Sequence, residues 1–264
     1  MLKAMSLVKT NREIAAMRRG GALLSRALQA AVKAVRSGVT MKELDTIARE
    51  AIEAGGGKPS FLSYTTHGSK PFPATLCISR NDEVVHGIGT REEALVEGDL
   101  VGLDIGCWYE GLCTDMAVTV PVGAISPANK ELLLVTRQAM RAGVAAAKVG
   151  ESIRAISAAI EAEVDQQRYG IVKALVGHGV GHAVHEAPHV PNYVSKSSKD
   201  VPLQAGMCLA LEPMLTLGTD EVVTAEDGWT ITTADGSSAA HFEVTIAILD
   251  QGPEILTPEP EIGL

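Results

Sequence analysis

Apolar and polar positions alternate with helical spacing near the start of the chain. Ile14, Met17, Gly21, Leu24 and Leu28 recur every three or four residues behind Thr10-Asn-Arg-Glu13. That tetrapeptide is a capping box, in which hydroxyl and carboxylate serve the free amides of a first turn, so a helix is expected from about residue 11. A second box, Thr40-Met-Lys-Glu43, precedes Leu44, Ile47, Ala48, Ala51 and Ile52, and Gly55-Gly56-Gly57 should end that helix. Residues 58–73 mix Ser, Thr, Gly and Pro with Phe61, Tyr64, His67 and Phe72, which predicts an irregular, ring-rich loop. Strand-like runs follow at 74–79, 84–86, 100–108 and 113–122, the last two flanking Tyr109-Glu110-Gly111-Leu112 as a hairpin. Helical spacing returns over 128–148 and 152–168, and strand-like runs at 171–176, 206–211 and 241–249.

The second half thus repeats the plan of the first, and the residues agree. Leu95-x-x-Gly98-x-x-x-x-Leu103-Asp104 matches Leu203-x-x-Gly206-x-x-x-x-Leu211-Glu212 without a gap. Gly38-x-Thr40-Met41-Lys42-x-Leu44 matches Gly150-x-Ser152-Ile153-Arg154-x-Ile156, and His86-Gly-Ile-Gly matches His178-Gly-Val-Gly. Matches in one order point to related halves, about 8–123 and 124–250, packed by a pseudo-two-fold into a single domain spanning 1–264.

Composition adds exclusions. With 264 residues, 46% of them apolar but only 3% aromatic, the core must be largely aliphatic. A formal charge of -9 leaves no footprint for nucleic acid or an anionic membrane. No apolar run approaches the ~20 residues of a membrane-spanning helix. Residues 1–20 carry Lys3, Lys9, Arg12, Arg18 and Arg19 without the apolar block and cleavage site of a signal peptide. Cys77, Cys107, Cys113 and Cys208 lack C-x-x-C spacing and read as free thiols, so the cytoplasm is the expected compartment.

Candidate chemistry lies where acids interrupt apolar runs. Asp104 stands between Leu103 and Ile105, and Asp115 precedes Met116-Ala-Val-Thr-Val. A turn centred between Tyr109 and Glu110 would set the two aspartates directly opposite, with Cβ atoms about 5 Å apart. Glu212 is the counterpart of Asp104 in the repeat, and Glu243 begins a strand-like run as Asp115 does. Four carboxylates from four strands would then converge in an apolar setting, where two divalent ions would cancel their charge. The run Gly177-His-Gly-Val-Gly-His-Ala-Val-His-Glu-Ala-Pro-His supplies His178, His182, His185 and His189. Its glycines disfavour a helix and permit a turn or a close backbone approach. Of these histidines, His182 and His189 are the ones expected to be ordinary loop residues.

The ordered series Asp104, Asp115, His178, Glu212 and Glu243 resembles the ligand set of the pita-bread metallopeptidases. Asn81-Asp-Glu-Val-Val-His86-Gly, Gly177-His-Gly-Val-Gly, His185-Glu-Ala-Pro and Leu211-Glu-Pro-Met resemble the type I methionine aminopeptidases among them. The resemblance spans about residues 8–250. It implies an α+β pita-bread fold, a curved antiparallel sheet with helices on its outer face. It also implies two divalent ions (Co, Mn, Fe or Zn) held by those five residues, with metal-bound hydroxide attacking the first peptide bond of nascent polypeptides that begin with Met. His86 would serve the leaving amide, His185 the scissile carbonyl, and Glu212 both the metals and proton transfer. Cys77, Phe72 and Trp229 would line the Met pocket. A monomer is expected, and contact with the ribosome is left open. The chain departs from the family pattern at Val244, where His is frequent, and at Val184, where an aromatic residue is common.

Two other readings belong to the same fold, and the first shares this ligand set. X-Pro aminopeptidases and dipeptidases carry a large domain before their first helices, whereas helical signals here begin near residue 10. A metal-free pita-bread binding protein would have lost ligands, and all five are present. The separation of thirty-one positions from Glu212 to Glu243 leaves no room for the helical insert of the type II enzymes.

Overall fold

The computed structural model describes residues 7–66, 70–197 and 199–263. His67 and the first six residues therefore lie outside the described residues. Both capping boxes close. The backbone N–H groups of Thr10 and Thr40 each donate to the glutamate three residues on at 2.7 Å, opening α1 (Asn11–Ala34) and α2 (Met41–Ala54). The second pair is α3 (Pro127–Ala146) and α4 (Ile153–Ala162). α4 stops short of the expected residue 168 because the Asp165 carboxylate accepts the Gln167 N–H at 3.1 Å, a local bond that competes with helix propagation.

Seven strands matter to the site: β1 (Leu76–Arg80), β2 (Leu100–Tyr109), β3 (Leu112–Pro121), β4 (Gly177–Gly179), β5 (Glu186–Val190), β6 (Cys208–Leu211) and β7 (Glu243–Leu249). They form one antiparallel sheet in the order β2-β3-β7-β6-β4-β5, with β1 also paired to β2. The β3–β7 ladder joins the first half of the chain to the second. Strand periodicity then sorts the faces, because successive side chains point to opposite sides. Leu103, Ile105, Leu209, Leu211 and Ile246 join the apolar cluster of Leu24, Leu44, Leu133 and Ile156 from the four helices. Their neighbours Asp104, Ala210, Glu212 and Thr245 fall on the other side.

The hairpin corrects one expectation. Tyr109 pairs with Leu112, so the turn is Glu110-Gly111, with φ of 50° and 80°. Positive φ at both central residues suits the twist of a two-residue hairpin, and the glycine makes the second position inexpensive. The register therefore pairs Asp104 with Ala117 and Asp115 with Gly106, and the two aspartates are diagonal neighbours rather than directly opposite.

The expected strand over 171–176 also differs. Only Gly170–Ile171 enters a ladder, and Lys173 leaves it to meet Asp220 at 2.6 Å. The glycines after it serve a close approach. A Cβ on Gly177 would stand 2.4 Å from the Ala210 carbonyl oxygen, and one on Gly179 2.2 Å from that of Ala187. Gly179→Ala is accordingly expected to destabilise the protein by about 1–3 kcal/mol through overpacking, read as a lower urea midpoint at unchanged slope. Among the described residues no helix is long and apolar enough to cross a membrane.

Candidate metal centre and active site

Residues paired across antiparallel strands share a face, so the register alone assembles the site. Ala117 on β3 pairs with Asp104 on β2 and with Glu243 on β7. Asp115 lies two residues before Ala117, on the same face. Leu211 pairs with Val244, which carries Glu212, the next residue beyond β6, to the row of Glu243. His178 on β4 pairs with Ala210, two residues before Glu212, and Cys77 on β1 pairs with Asp104. The small side chains of Ala117 and Ala210 stand where larger ones would fill the space between these groups. Thr245 locks the central seam, since its hydroxyl donates to the Asp115 carbonyl at 2.8 Å and accepts the Asp115 N–H at 3.0 Å.

Asp115, His178 and Glu243 are buried, and one ligand atom from each lies within 4.8 Å of the others. His178 Nε2 stands 3.3 Å from Glu212 Oε1. Asp104 Oδ1, Asp115 Oδ1 and Glu243 Oε1 are buried and have no hydrogen-bond partner among the described residues. Burial pushes Asp104 up to about 7. Burial first, then the charges of the neighbouring acids, raises Asp115, Glu212 and Glu243 well above the usual carboxylate range. His178 is held neutral, down to about 3, by burial and by His185. Its Nδ1 lies 2.9 Å from the Gly179 carbonyl, to which it donates, so the Nε2 lone pair faces the acids. Unshared oxygens and a bare imidazole nitrogen turned toward one another repel unless cations lie between them, and hard oxygen with imidazole is a donor set that suits divalent first-row metals.

The same cavity is lined by the other residues singled out in the sequence: His86, His185, Cys77, Phe72 and Trp229. His86 enters from a left-handed backbone position, φ 59°, a strained placement of the kind found at functional sites. Burial, then His185, holds it down to about 4. His185 is exposed at the mouth, its ring 4.4 Å from that of His178. Phe72 and Trp229 meet edge to face at 5.3 Å, and the indole N–H donates to the Lys70 carbonyl at 3.1 Å. Burial raises the Cys77 thiol well above its usual range, so it presents a neutral wall. His182 and His189 do not line the cavity: His182 Nε2 lies 2.8 Å from Glu13, and His189 is exposed.

The sequence reading did not assign three cavity residues, Phe61, Tyr64 and Thr66. It also missed His241, which is buried, with its Nε2 unpartnered among the described residues and 3.7 Å from Glu212 Oε2. A signal existed: His241 lies two positions before Glu243, in an otherwise apolar run.

The profile of metallopeptidase family M24 matches residues 15–250. The chain belongs to metallopeptidase family M24. Among M24 relatives it is 45% identical over 251 residues to methionine aminopeptidase 1 of Mycobacterium tuberculosis, covering 93% of this chain and 92% of that one. It is 42% identical to the methionine aminopeptidase of Aquifex aeolicus, covering 94% and 97% of the two chains. The crystal structure of methionine aminopeptidase from Thermotoga maritima matches with a TM-score of 0.89 at 39% identity, over 96% of this chain and 99% of that one. A prolidase from Pyrococcus furiosus matches with a TM-score of 0.77 at 22% identity, over 97% of this chain and 66% of that one, a likeness of fold alone. The α+β pita-bread fold expected from the sequence is the fold of this M24 chain.

Proposed function

We propose that this M24 chain is a methionine aminopeptidase that uses two divalent ions to remove the N-terminal Met of nascent polypeptides and peptides. The observation that carries the reading is the cluster of Asp104, Asp115, His178, Glu212 and Glu243 beside the cleft of Cys77, Phe72 and Trp229. Those five residues would hold the ions. When bound, such ions supply Lewis acidity to a water molecule and to the substrate's carbonyl.

The chain's own groups do the rest. Phe72 and Trp229 receive the Met side chain, whose sulfur gains ~0.3–1.5 kcal/mol against an aromatic ring, and the neutral Cys77 keeps that wall free of charge. His185 donates to the carbonyl oxygen as negative charge gathers on it. His86 faces the leaving amide nitrogen. Glu212 takes a proton from the attacking water and passes it on. A positioned donor of this kind contributes typically 10²–10⁴-fold. One apolar cluster draws on both halves, which supports a single catalytic domain, and four buried free thiols suit the reducing cytoplasm.

Peptide assays test the reading. Met-Ala-Ser is expected to be cleaved with kcat/KM about a hundredfold or more above Leu-Ala-Ser and Ala-Pro-Ser, since pocket fit discriminates on that scale. Comparable turnover of Ala-Pro-Ser would instead favour an X-Pro peptidase. No turnover with Co²⁺, Mn²⁺, Fe²⁺ or Zn²⁺ would favour a binding protein.

A further inference from the structure

Tyr64 belongs to the ring-rich loop, and the mechanism above leaves it unused. Its backbone is clipped on both sides. The Tyr64 N–H donates to the Phe61 carbonyl and its own carbonyl accepts the Phe72 N–H, both at 2.8 Å, while the Ser63 N–H reaches the Phe72 carbonyl at 2.8 Å. This clip turns the half-buried phenol into the mouth of the cavity, where its oxygen lies 2.7 Å from His185 Nδ1. The two rings meet edge to face at 5.3 Å and 64°. His185 is also packed by the His178 ring at 4.4 Å. His185 is exposed and on a loop, so these contacts fix its orientation.

We propose that Tyr64 is a positioning residue: its O–H donates to His185 Nδ1 and so selects the tautomer that carries the proton on Nε2. The inference rests on the reading of His185 as donor to the substrate carbonyl. A neutral imidazole has one donor nitrogen and one acceptor. If Nδ1 instead gave its proton to the phenol oxygen, Nε2 would turn a lone pair toward the carbonyl oxygen and could not stabilise it. The phenol thus decides which nitrogen can donate, without touching the substrate's reacting atoms.

Tyr64→Phe keeps the ring and its packing and removes only the hydroxyl. Its kcat on Met-Ala-Ser is expected to fall about ten- to a hundredfold, the range for losing a partner that orients a site histidine, with KM and bound metal unchanged. The decisive readout is long-range proton–nitrogen correlation NMR of the full chain, labelled with ¹⁵N-histidine and loaded with diamagnetic Zn²⁺, with His185 assigned by its loss in His185→Ala. The native protein should show a bare Nδ1 and a protonated Nε2, and Tyr64→Phe should shift the Nδ1 signal and populate the other tautomer. A protonated Nδ1 in the native protein overturns the proposal, as do unchanged His185 signals and unchanged kcat in Tyr64→Phe. The reading of His185 fails separately, if His185→Ala keeps full kcat. Loss of kcat in His185→Ala with none in Tyr64→Phe sinks the role of Tyr64 alone.

Discussion

His178→Ala is expected to weaken divalent metal binding at least a hundredfold, whereas His185→Ala should bind metal as the native protein does and lose 10²–10⁴-fold in kcat. The two rings are only 4.4 Å apart, yet their surroundings differ. His178 gives its Nδ1 proton to the Gly179 carbonyl at 2.9 Å and turns Nε2 toward the carboxylates, 3.3 Å from Glu212. It is the neutral member of a cluster whose other members are acids. His185 has its Nδ1 on Tyr64 and stands at the open rim, so it can reach a substrate but does not complete the cage. A kcat loss of that size is about 3–5 kcal/mol of barrier, more than one weakened surface contact supplies. Titration calorimetry of Mn²⁺ into both variants, beside rates on Met-Ala-Ser and circular dichroism to check folding, separates the roles. Equal loss of metal in the two would refute the assignment.

How much of this was legible in the sequence depends on the range of the interaction that sets each feature. Thr10 and Thr40 announce their helices because a capping box is closed by residues three apart. The apolar runs around Asp104 and Asp115 announce strands for the same local reason. The centre of the hairpin was misplaced by one residue, although Gly111, a natural occupant of the second position of a two-residue turn, offered the clue. β4 has three residues, two of them glycine, too few for any period, and it exists because those glycines let neighbouring backbones approach. Glu212 and Glu243 could be paired with Asp104 and Asp115 because the halves repeat, whereas His178 was singled out among the histidines only by the family resemblance. The meeting of Tyr64 with His185 could not be read, since a sequence separation of 121 is closed only by the fold. His241 was within reach, because an alternate position before Glu243 points toward the acids rather than away from them.

Stability without metal is expected to fall as pH rises from 6.5 to about 8.5, and divalent ions should restore it. The sign follows from proton counting. In the folded chain Asp104 titrates at about 7 against an ordinary 3.8, and Asp115, Glu212 and Glu243 are raised as well. Between the ordinary and the raised values the folded state holds protons that the unfolded state has released, so stability is present at low pH and is lost through the raised values. Histidines act oppositely. His86 is held to about 4 and His178 and His241 to about 3, against an ordinary 6.5, so their contribution grows with pH and levels off about a unit above 6.5. Above that point the raised carboxylates set the slope, joined toward pH 8.5 by the buried thiols of Cys77, Cys107, Cys113 and Cys208, which burial also raises and which act with the same sign. Ions that bind the ionised cluster replace its protons and remove the repulsion. At a hundredfold excess over Kd they add about 2.7 kcal/mol, which for a chain of this size raises Tm by roughly 5–10 °C. Calorimetric melts in EDTA and in Mn²⁺ across that pH range should diverge with rising pH, and Asp104→Asn, which keeps the shape without the charge, should flatten the EDTA curve. Melting temperatures in EDTA that do not change with pH would mean that these carboxylates are not forced together in the folded protein, and the cation-dependent reading of the site would fall with them.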